Sequence, residues 1–175
     1  MDKCLLINLF GRPGVGKSTL ALELVSNLKK MGRSAEYVPE YAKELIYKCH
    51  DQHDLSNHML ANQLYILAKQ HKRIYDVTKS VDIAVCDSPL LFNLIYLRED
   101  DLLADPDSHF TDLVYYLHNT FNKKDFLLKS NHTYQKKGRQ QTYDESMQIQ
   151  SRIEELDNDF IEISTINEVW DHLND

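Results

Sequence analysis

Between the first apolar run and the first helical pattern, the chain reads Gly11-Arg12-Pro13-Gly14-Val15-Gly16-Lys17-Ser18-Thr19. Residues 11–18 match the pattern G-x-x-x-x-G-K-[ST] in full. Glycines let the backbone curl so that successive N–H groups point at phosphate oxygens, and the N-terminus of the following helix favours the same anion. The stretch therefore predicts a phosphate-binding loop between a strand and a helix, with residues 11–19 as the nucleotide-binding set.

Two side chains of this loop have specific expected roles. Lys17 is expected to reach the β- and γ-phosphates of a bound nucleoside triphosphate. The motif selects Ser18 as the hydroxyl that ligates Mg²⁺, and the adjacent Thr19 carries the other hydroxyl of the loop. ATP and Mg²⁺ are therefore the predicted cofactors.

Outward from the loop, short β-type segments alternate with helical patterns along the chain. The predicted strands are Cys4–Phe10, Ala35–Val38, Val81–Cys86, Asp125–Leu128 and Phe160–Ile163. The predicted helices are Lys17–Met31, Tyr41–Cys49, Leu55–Ser80, Leu90–Leu97, His109–Asn119, Thr142–Asp157 and Ile166–Leu173. Such alternation predicts an α/β fold with a parallel sheet covered by helices on both faces. Ligands of such sheets bind outside the carboxyl ends of the strands.

Length and composition predict an ordinary globular domain. The chain has 175 residues, of which 42% are hydrophobic and 27% charged, and its net charge is −7. These values exclude disordered, collagen-like and membrane-bundle proteins and correspond to one domain over residues 1–175. No apolar run is long enough to cross a bilayer, and no secretion signal is recognised. Because the three cysteines include no C-x-x-C pair, we expect free thiols in the cytoplasm and no membrane partner.

Two carboxylates follow predicted strands at the edge where the phosphate loop lies. The third strand ends in Asp87, and an apolar strand ending in Asp is typical of the second nucleotide-binding motif, whose carboxylate holds Mg²⁺. The same Asp is also a suitable N-cap for the next helix. Glu40 follows the second strand, where it is expected to accept a hydroxyl proton beside the γ-phosphate or to complement the next helix. Either Glu40 or Asp87 can serve as the base.

Positive charge is concentrated in residues 129–141, although the chain as a whole is acidic. This composition is typical of a lid that closes over phosphates, in which Arg139 stabilises transition-state charge. A solvated charged loop is the other interpretation. Immediately afterwards, Thr142 and Glu145 have the spacing of a capping box and predict the start of a helix.

Residues 122–125 read Asn-Lys-Lys-Asp and match N-K-x-D, the guanine-reading motif of GTPases. In GTPases this motif follows an apolar strand, whereas here the preceding residues have a helical pattern. The companion D-x-x-G is also missing, because Asp87 is followed by Ser88 and Pro89. We interpret the match as coincidental, which disfavours a GTPase.

Taken together, the motifs resemble P-loop kinases similar to the ribosylnicotinamide kinase domain and its phage-encoded, deoxynucleoside-kinase-like relatives. The residues that carry the resemblance are 11–19, 40–43, 87–90, 126–129 and 138–142. The resemblance implies a three-layer sandwich whose five-stranded parallel sheet has the order 2-3-1-4-5. It also implies that Glu40 is similar to the acid that serves as base in deoxynucleoside kinases. Those enzymes usually have Arg after the acid of the third strand, where this chain has Ser88.

These features favour an ATP- and Mg²⁺-dependent kinase that transfers the γ-phosphate to a hydroxyl of a nucleoside-like acceptor. Its expected catalytic residues are Lys17, Glu40, Asp87 and Arg139, with Ser18 and Asp87 as metal ligands. An alternative is a phage-type kinase of 5-hydroxymethyl pyrimidine bases in DNA, which needs a basic face that the net charge of −7 disfavours. A further alternative is an ATP-hydrolysing switch protein without an acceptor.

Overall fold

A computed structural model describes residues 4–48, 60–97, 109–129 and 142–173. Its strands are β1 (Leu5–Phe10), β2 (Ala35–Val38), β3 (Ile83–Cys86), β4 (Lys123–Leu128) and β5 (Ile161–Ile163). Its helices are α1 (Lys17–Lys30), α2 (Tyr41–Lys48), α3 (Leu60–Thr78), α4 (Phe92–Ile95), α5 (His109–Asn119), α6 (Tyr143–Glu154) and α7 (Ile166–Leu173). The strands form one sheet in the order β2-β3-β1-β4-β5, and every neighbouring pair is parallel. The predicted sheet and its order are confirmed.

Side-chain alternation along the strands divides the core into two halves, one on each face of the sheet. In β1, Leu6 and Phe10 belong to one half, whereas Ile7 and Leu9 belong to the other. The first half contains buried residues of α3, α4, α5 and α6, and the second contains those of α1 and α7. Helices therefore cover both faces, which explains why the central strands are apolar on both sides.

The predicted helix over residues 90–97 is reduced to the four residues of α4. The backbone N–H groups of Phe92, Asn93 and Leu94 each donate to the carbonyl three residues earlier. These bonds form a tight 3₁₀-type turn that leads into α4. At the end of α4, the Tyr96 N–H donates to the Phe92 carbonyl four residues earlier, as in an α-helix. The Asn93 side chain reinforces the turn by donating to the Leu90 carbonyl at 2.8 Å.

Other differences between predicted and observed elements are small. The predicted ends at Cys49 and over residues 55–59 lie outside the described residues. The capping box before α6 is confirmed, because Thr142 Oγ1 accepts from the Glu145 N–H and the Glu145 carboxylate accepts from the Thr142 N–H. None of the helices described is both long and apolar enough to span a membrane.

Strand register brings the ends of β1, β2 and β3 to one edge. Cys86 is paired with Asn8 on one side and with Val38 on the other. The residues that follow these strands, which include Gly11, Glu40 and Asp87, consequently lie at the same carboxyl edge. This edge is where ligands of open parallel sheets bind.

Asp125, the last residue of the N-K-x-D match, lies in a buried polar cluster within the sheet. Its carboxylate accepts from Asn8 Nδ2 at 2.7 Å and lies 2.9 Å from His118 Nε2. Burial alone raises the pKa of Asp125, but the hydrogen bonds from His118 and Asn8 and the charge of Lys123 hold it below its usual value. The preceding residues form α5 rather than a strand. The carboxylate therefore serves internal packing, in agreement with a coincidental motif.

Gly11 connects β1 to the phosphate loop with a φ of 141°. A Cβ at this position would lie 2.9 Å from Val15 Cγ1 and 3.0 Å from the Leu128 carbonyl oxygen. We expect Gly11→Ala to lower the free energy of unfolding by about 2–4 kcal/mol, because backbone strain and overpacking add. Denaturant unfolding of the variant measures this loss.

Gly32 provides the matched control, because its φ is also positive, at 78°, and an added Cβ would meet nothing within 4 Å. Gly32→Ala is expected to cost only the backbone strain, about 1 kcal/mol. Equal losses in the two variants would show that the close approach at Gly11 has no energetic consequence.

Candidate functional site

The phosphate loop leads directly into α1, which begins at Lys17. The N-cap of this helix is Gly16, and its first turn carries no acidic residue, so no cap side chain competes with a bound anion. Lys17 Nζ donates to the carbonyl oxygens of Gly11 at 2.7 Å and Arg12 at 3.1 Å. It also lies 5.4 Å from the centre of the Phe92 ring. The ammonium group is thus held inside the curve of the loop.

Asp87 lies beside the start of α1, where one of its oxygens receives two hydroxyl groups. Asp87 Oδ2 accepts a hydrogen bond from Ser18 Oγ and another from the Tyr37 hydroxyl at 2.7 Å. Tyr37 belongs to β2, and its pKa is raised by burial and by the Asp87 carboxylate. The two predicted metal ligands, Ser18 and Asp87, are therefore in direct contact, and a third side chain joins them.

The second oxygen of Asp87 allows a test of whether the site suits Mg²⁺. Asp87 is only 5% exposed, and its Oδ1 is buried with no hydrogen-bond partner among the described residues. An unpaired buried carboxylate oxygen is costly unless a ligand satisfies it. Mg²⁺ prefers oxygen ligands and is usually held by one or two carboxylates together with substrate phosphates. The donor set of Ser18 and Asp87 therefore fits this ion.

Glu40 is partly buried between β2 and α2. Its pKa is raised, first by burial and also by the Asp87 carboxylate, while the ammonium groups of Lys17 and Lys43 lower it. Burial and the Glu40 carboxylate also raise the pKa of Tyr96. Glu40 is thus close enough to Lys17 and Asp87 for their charges to act on it. The three side chains form one electrostatic group at the carboxyl edge.

The start of α2, and with it Glu40, is attached to α3. The Tyr41 N–H donates to Gln70 Oε1 at 2.9 Å, and Gln70 Nε2 in turn donates to Cys86 Sγ at 3.5 Å. Gln70 is buried, so these bonds connect the residue after Glu40 to the residue before Asp87. Through this bridge, the two carboxylates are held on a common support.

The other predicted nucleotide-binding residues differ from one another in burial and in the direction of their side chains. The Val15 side chain is buried in the core beneath the loop, whereas Ser18 and Thr19 are exposed on α1. The Arg12 guanidinium is directed toward α6 and lies 5.6 Å from the centre of the Tyr143 ring. Arg139 lies outside the described residues, as does the segment 130–141 of the predicted lid.

The basic stretch Lys123–Arg139 contains three lysines that the structure describes, Lys123, Lys124 and Lys129, and all three have partners within the fold. Lys129 Nζ lies 2.6 Å from a Glu162 carboxylate oxygen, and Lys123 Nζ lies 3.2 Å from one of Asp125. Lys124 donates to the His172 carbonyl. The described part of this stretch therefore does not form a row of unpaired cations.

Three residues at this edge are not indicated by any local sequence pattern. Tyr37 is an ordinary aromatic residue of a short strand, and Ser146 and Gln150 are ordinary polar residues of an amphipathic helix. Tyr37 binds Asp87, while Ser146 and Gln150 bind the loop. The only available signal is the predicted parallel sheet, which places Tyr37 near the strand end where Asp87 follows.

Removal of the Tyr37 hydroxyl tests how much the Asp87 carboxylate depends on it. Tyr37→Phe keeps the ring but removes one of the two donors to Oδ2. Because a hydrogen bond to a charged group contributes about 1.5–3 kcal/mol, we expect the free energy of unfolding to fall by about that amount. Denaturant unfolding measures the change. Tyr75→Phe, at a tyrosine that is 46% exposed on α3, is the control and is expected to have little effect.

A protein-family model described as "AAA domain" matches residues 6–167. The chain belongs to this AAA domain family. The match includes the phosphate loop and both strand-end carboxylates. No curated protein is matched by the sequence.

Several solved structures are similar to this AAA domain at low sequence identity. A NadR protein in complex with NR has a TM-score of 0.72 and 12% identity, covering 98% of this chain and 52% of that chain. A NadR protein in complex with NAD and AMP-PNP has a TM-score of 0.59 and 16% identity, and the similarity covers 98% of this chain and 50% of that chain. Thymidylate kinase from Ehrlichia chaffeensis has a TM-score of 0.60 and 14% identity, covering 99% of both chains.

The chain spans about half the length of the two NadR structures and the full length of the thymidylate kinase. These similarities confirm the P-loop kinase fold that the motifs and the resemblance imply. At such low identity they are evidence for the fold alone.

Proposed function

We propose that this protein is an ATP- and Mg²⁺-dependent kinase that transfers the γ-phosphate to a hydroxyl of a nucleoside-like acceptor, with residues 1–175 acting as one domain. The observation that carries this proposal is the position of Glu40, a partly buried carboxylate whose pKa is raised, beside Lys17 and Asp87. A general base acts best when its pKa lies nearer neutrality than that of an exposed carboxylate. The raised pKa of Glu40, next to the phosphate loop, supports this role.

In this proposal, the loop and α1 hold the nucleotide. Lys17 shifts from the carbonyl groups of Gly11 and Arg12 to the β- and γ-phosphates, where it balances their charge. Asp87 and Ser18 would hold Mg²⁺, which would neutralise charge on the phosphates. Arg139, in the predicted lid formed by residues 129–141, stabilises charge on the transferring phosphoryl group in this proposal.

Glu40 is the proposed base, and Asp87 the proposed metal ligand. Asp87 is less suited to act as the base because both of its oxygens have other partners in this proposal. Oδ2 accepts two hydroxyl hydrogen bonds, and Oδ1 is assigned to Mg²⁺. In the transfer, the acceptor oxygen forms a bond to the γ-phosphorus, and the bond from that phosphorus to the β,γ-bridging oxygen breaks. The acceptor proton passes to Glu40, and ADP leaves. Positioning and charge stabilisation supply most of the catalysis in such reactions.

Support for a nucleoside-like acceptor comes from the similar structures, one of which contains NR and another of which is a thymidylate kinase. The alternative acceptor, 5-hydroxymethyl pyrimidine in duplex DNA, requires a basic face for the phosphate backbone. Lys123, Lys124 and Lys129 each have a carboxylate or carbonyl partner, so this alternative ranks second.

The deciding experiment is transfer of labelled γ-phosphate from ATP to two sets of acceptors. One set is a panel of nucleosides that includes ribosylnicotinamide, and the other is duplex DNA carrying 5-hydroxymethyl pyrimidines. Lys17→Ala provides the blank. Label on a nucleoside supports the proposal, whereas label on DNA alone favours the second acceptor. Release of free phosphate alone, abolished by Lys17→Ala, would favour an ATP-hydrolysing switch protein.

A further inference from the structure

Arg12 is held by α6 through both its backbone and its side chain. The Arg12 N–H donates to Gln150 Oε1 at 3.1 Å, and its Nη1 lies 3.5 Å from Ser146 Oγ. The hydroxyl of Ser146 donates to the Pro13 carbonyl at 3.1 Å. Ser146 is fully buried, so this contact lies inside the protein rather than on its surface. Two consecutive residues of the phosphate loop are therefore bonded to one helix.

The helix that makes these contacts is itself fixed to the rest of the fold. Ile153 is fully buried in the core half that contains α4, and Arg152 donates to the carbonyl oxygens of Leu94 and Leu97 at 3.4 and 3.3 Å. Gln150 is oriented as well, because its Nε2 donates to Glu154 at 2.9 Å, which leaves Oε1 for the Arg12 N–H. The helix α6 is thus a fixed support against which the loop is placed.

We infer that Ser146 and Gln150 are positioning residues that hold the phosphate loop ready for a nucleotide. Arg12 lies between Gln150 and Lys17, because its N–H is bonded to Gln150 and its carbonyl accepts from Lys17 Nζ before the nucleotide binds. The inference rests on the proposed function, since it concerns nucleotide binding by this loop. It assigns a role in that binding to a helix outside the phosphate-loop motif.

The physical reason is preorganisation. A loop already held in its binding conformation loses less conformational freedom when a ligand arrives, and this raises affinity without any new contact to the ligand. Without the Ser146 hydroxyl, the Pro13 carbonyl loses its donor, and without the Gln150 amide, the Arg12 N–H loses its acceptor. The loop then samples other conformations, and nucleotide affinity falls.

The experiment compares Ser146→Ala and Gln150→Leu with Gln148→Leu, a control at an exposed glutamine of the same helix. Calorimetric titration with ATP and with inorganic triphosphate, both with Mg²⁺, gives Kd and stoichiometry for each protein. We expect Kd to rise about 5- to 20-fold in the first two variants, as for loss of one hydrogen bond, and to stay within about twofold in the control. The rise in Kd should be the same for ATP and for inorganic triphosphate, because Ser146 and Gln150 contact only the loop that is proposed to hold the phosphates.

A purely structural role gives a different result. If the two variants lose thermal stability or binding stoichiometry while Kd remains that of the wild type, the inference is wrong. Use of both variants separates the effect from misfolding at either position. If the wild type itself binds neither ligand, the proposed function fails, and this inference with it. A wild type that binds tightly, together with unaffected variants, overturns this inference alone.

Discussion

Lys17→Ala is expected to reduce γ-phosphate transfer by about 10²–10³-fold, the loss typical of removing one group that stabilises transition-state charge. Lys17 is the cation held at the centre of the phosphate loop by the carbonyl groups of Gly11 and Arg12. No other lysine among the described residues is placed inside this loop. Steady-state transfer kinetics with labelled ATP measure the loss. Calorimetric titration shows how much of it arises in nucleotide binding.

Lys30→Ala is the matched control, because Lys17 and Lys30 are the first and last residues of the same helix. Lys30 is exposed and far along the helix from the loop. The Lys30→Ala variant is expected to transfer γ-phosphate at a rate within about twofold of the wild type, as is usual for surface substitutions. Similar losses in both variants would mean that Lys17 acts through the stability of α1 and not through the phosphates.

Glu40→Gln is expected to lower kcat by about 10²–10⁴-fold, the usual contribution of a general base, with little change in KM for ATP. The substitution keeps the size of the side chain but removes its capacity to accept a proton. Steady-state kinetics with the acceptor found in the transfer assay measure both constants.

Asp87→Asn distinguishes the two carboxylates. Because Asp87 is the proposed metal ligand, this variant is expected to weaken Mg²⁺-dependent nucleotide binding, which Glu40→Gln leaves intact. If Glu40→Gln retains kcat while Asp87→Asn loses it without loss of nucleotide binding, Asp87 is the base and the assignment is reversed.

The pH dependence of the wild type follows from the environment of Glu40. Burial and the Asp87 carboxylate raise the pKa of Glu40 above its ordinary value of 4.5. A base must be deprotonated to act, so kcat should fall as pH decreases through this raised pKa. The acid limb of the kcat profile is therefore expected above pH 4.5 and should be absent from the residual activity of Glu40→Gln.

The same raised pKa has a consequence for stability. Because the pKa of Glu40 is raised, the folded protein binds this proton more tightly than the unfolded chain does. The free energy of unfolding therefore decreases as pH rises from the pKa of Glu40 in the unfolded chain through its pKa in the folded protein. At pH 7.5, Glu40→Gln is therefore expected to melt at a higher temperature than the wild type. Near pH 4 the difference should shrink, because Glu40 is then largely protonated in both states. Thermal unfolding at the two pH values tests this sign.

Much of this protein is determined by local sequence. The phosphate loop is recognisable because glycine, lysine and serine must stand at set positions for a backbone to curl around phosphate. The parallel sheet follows from alternating apolar strands and amphipathic helices, which have few ways to bury their apolar faces. The capping box at Thr142 is local for the same reason, since its partners are three residues apart. Asp87 and Glu40 are identifiable as candidates because strand ends meet at one edge.

The tertiary structure alone determines which side chains hold these groups in place. The Tyr37 hydroxyl reaches Asp87 across 50 residues of chain, and Gln150 reaches Arg12 across 138. Neither pair has a fixed spacing or composition, because such contacts depend on how the helices and strands pack and not on local conformational preference. Sequence thus specifies the loop and the sheet, and packing specifies which side chains of α6 contact the loop.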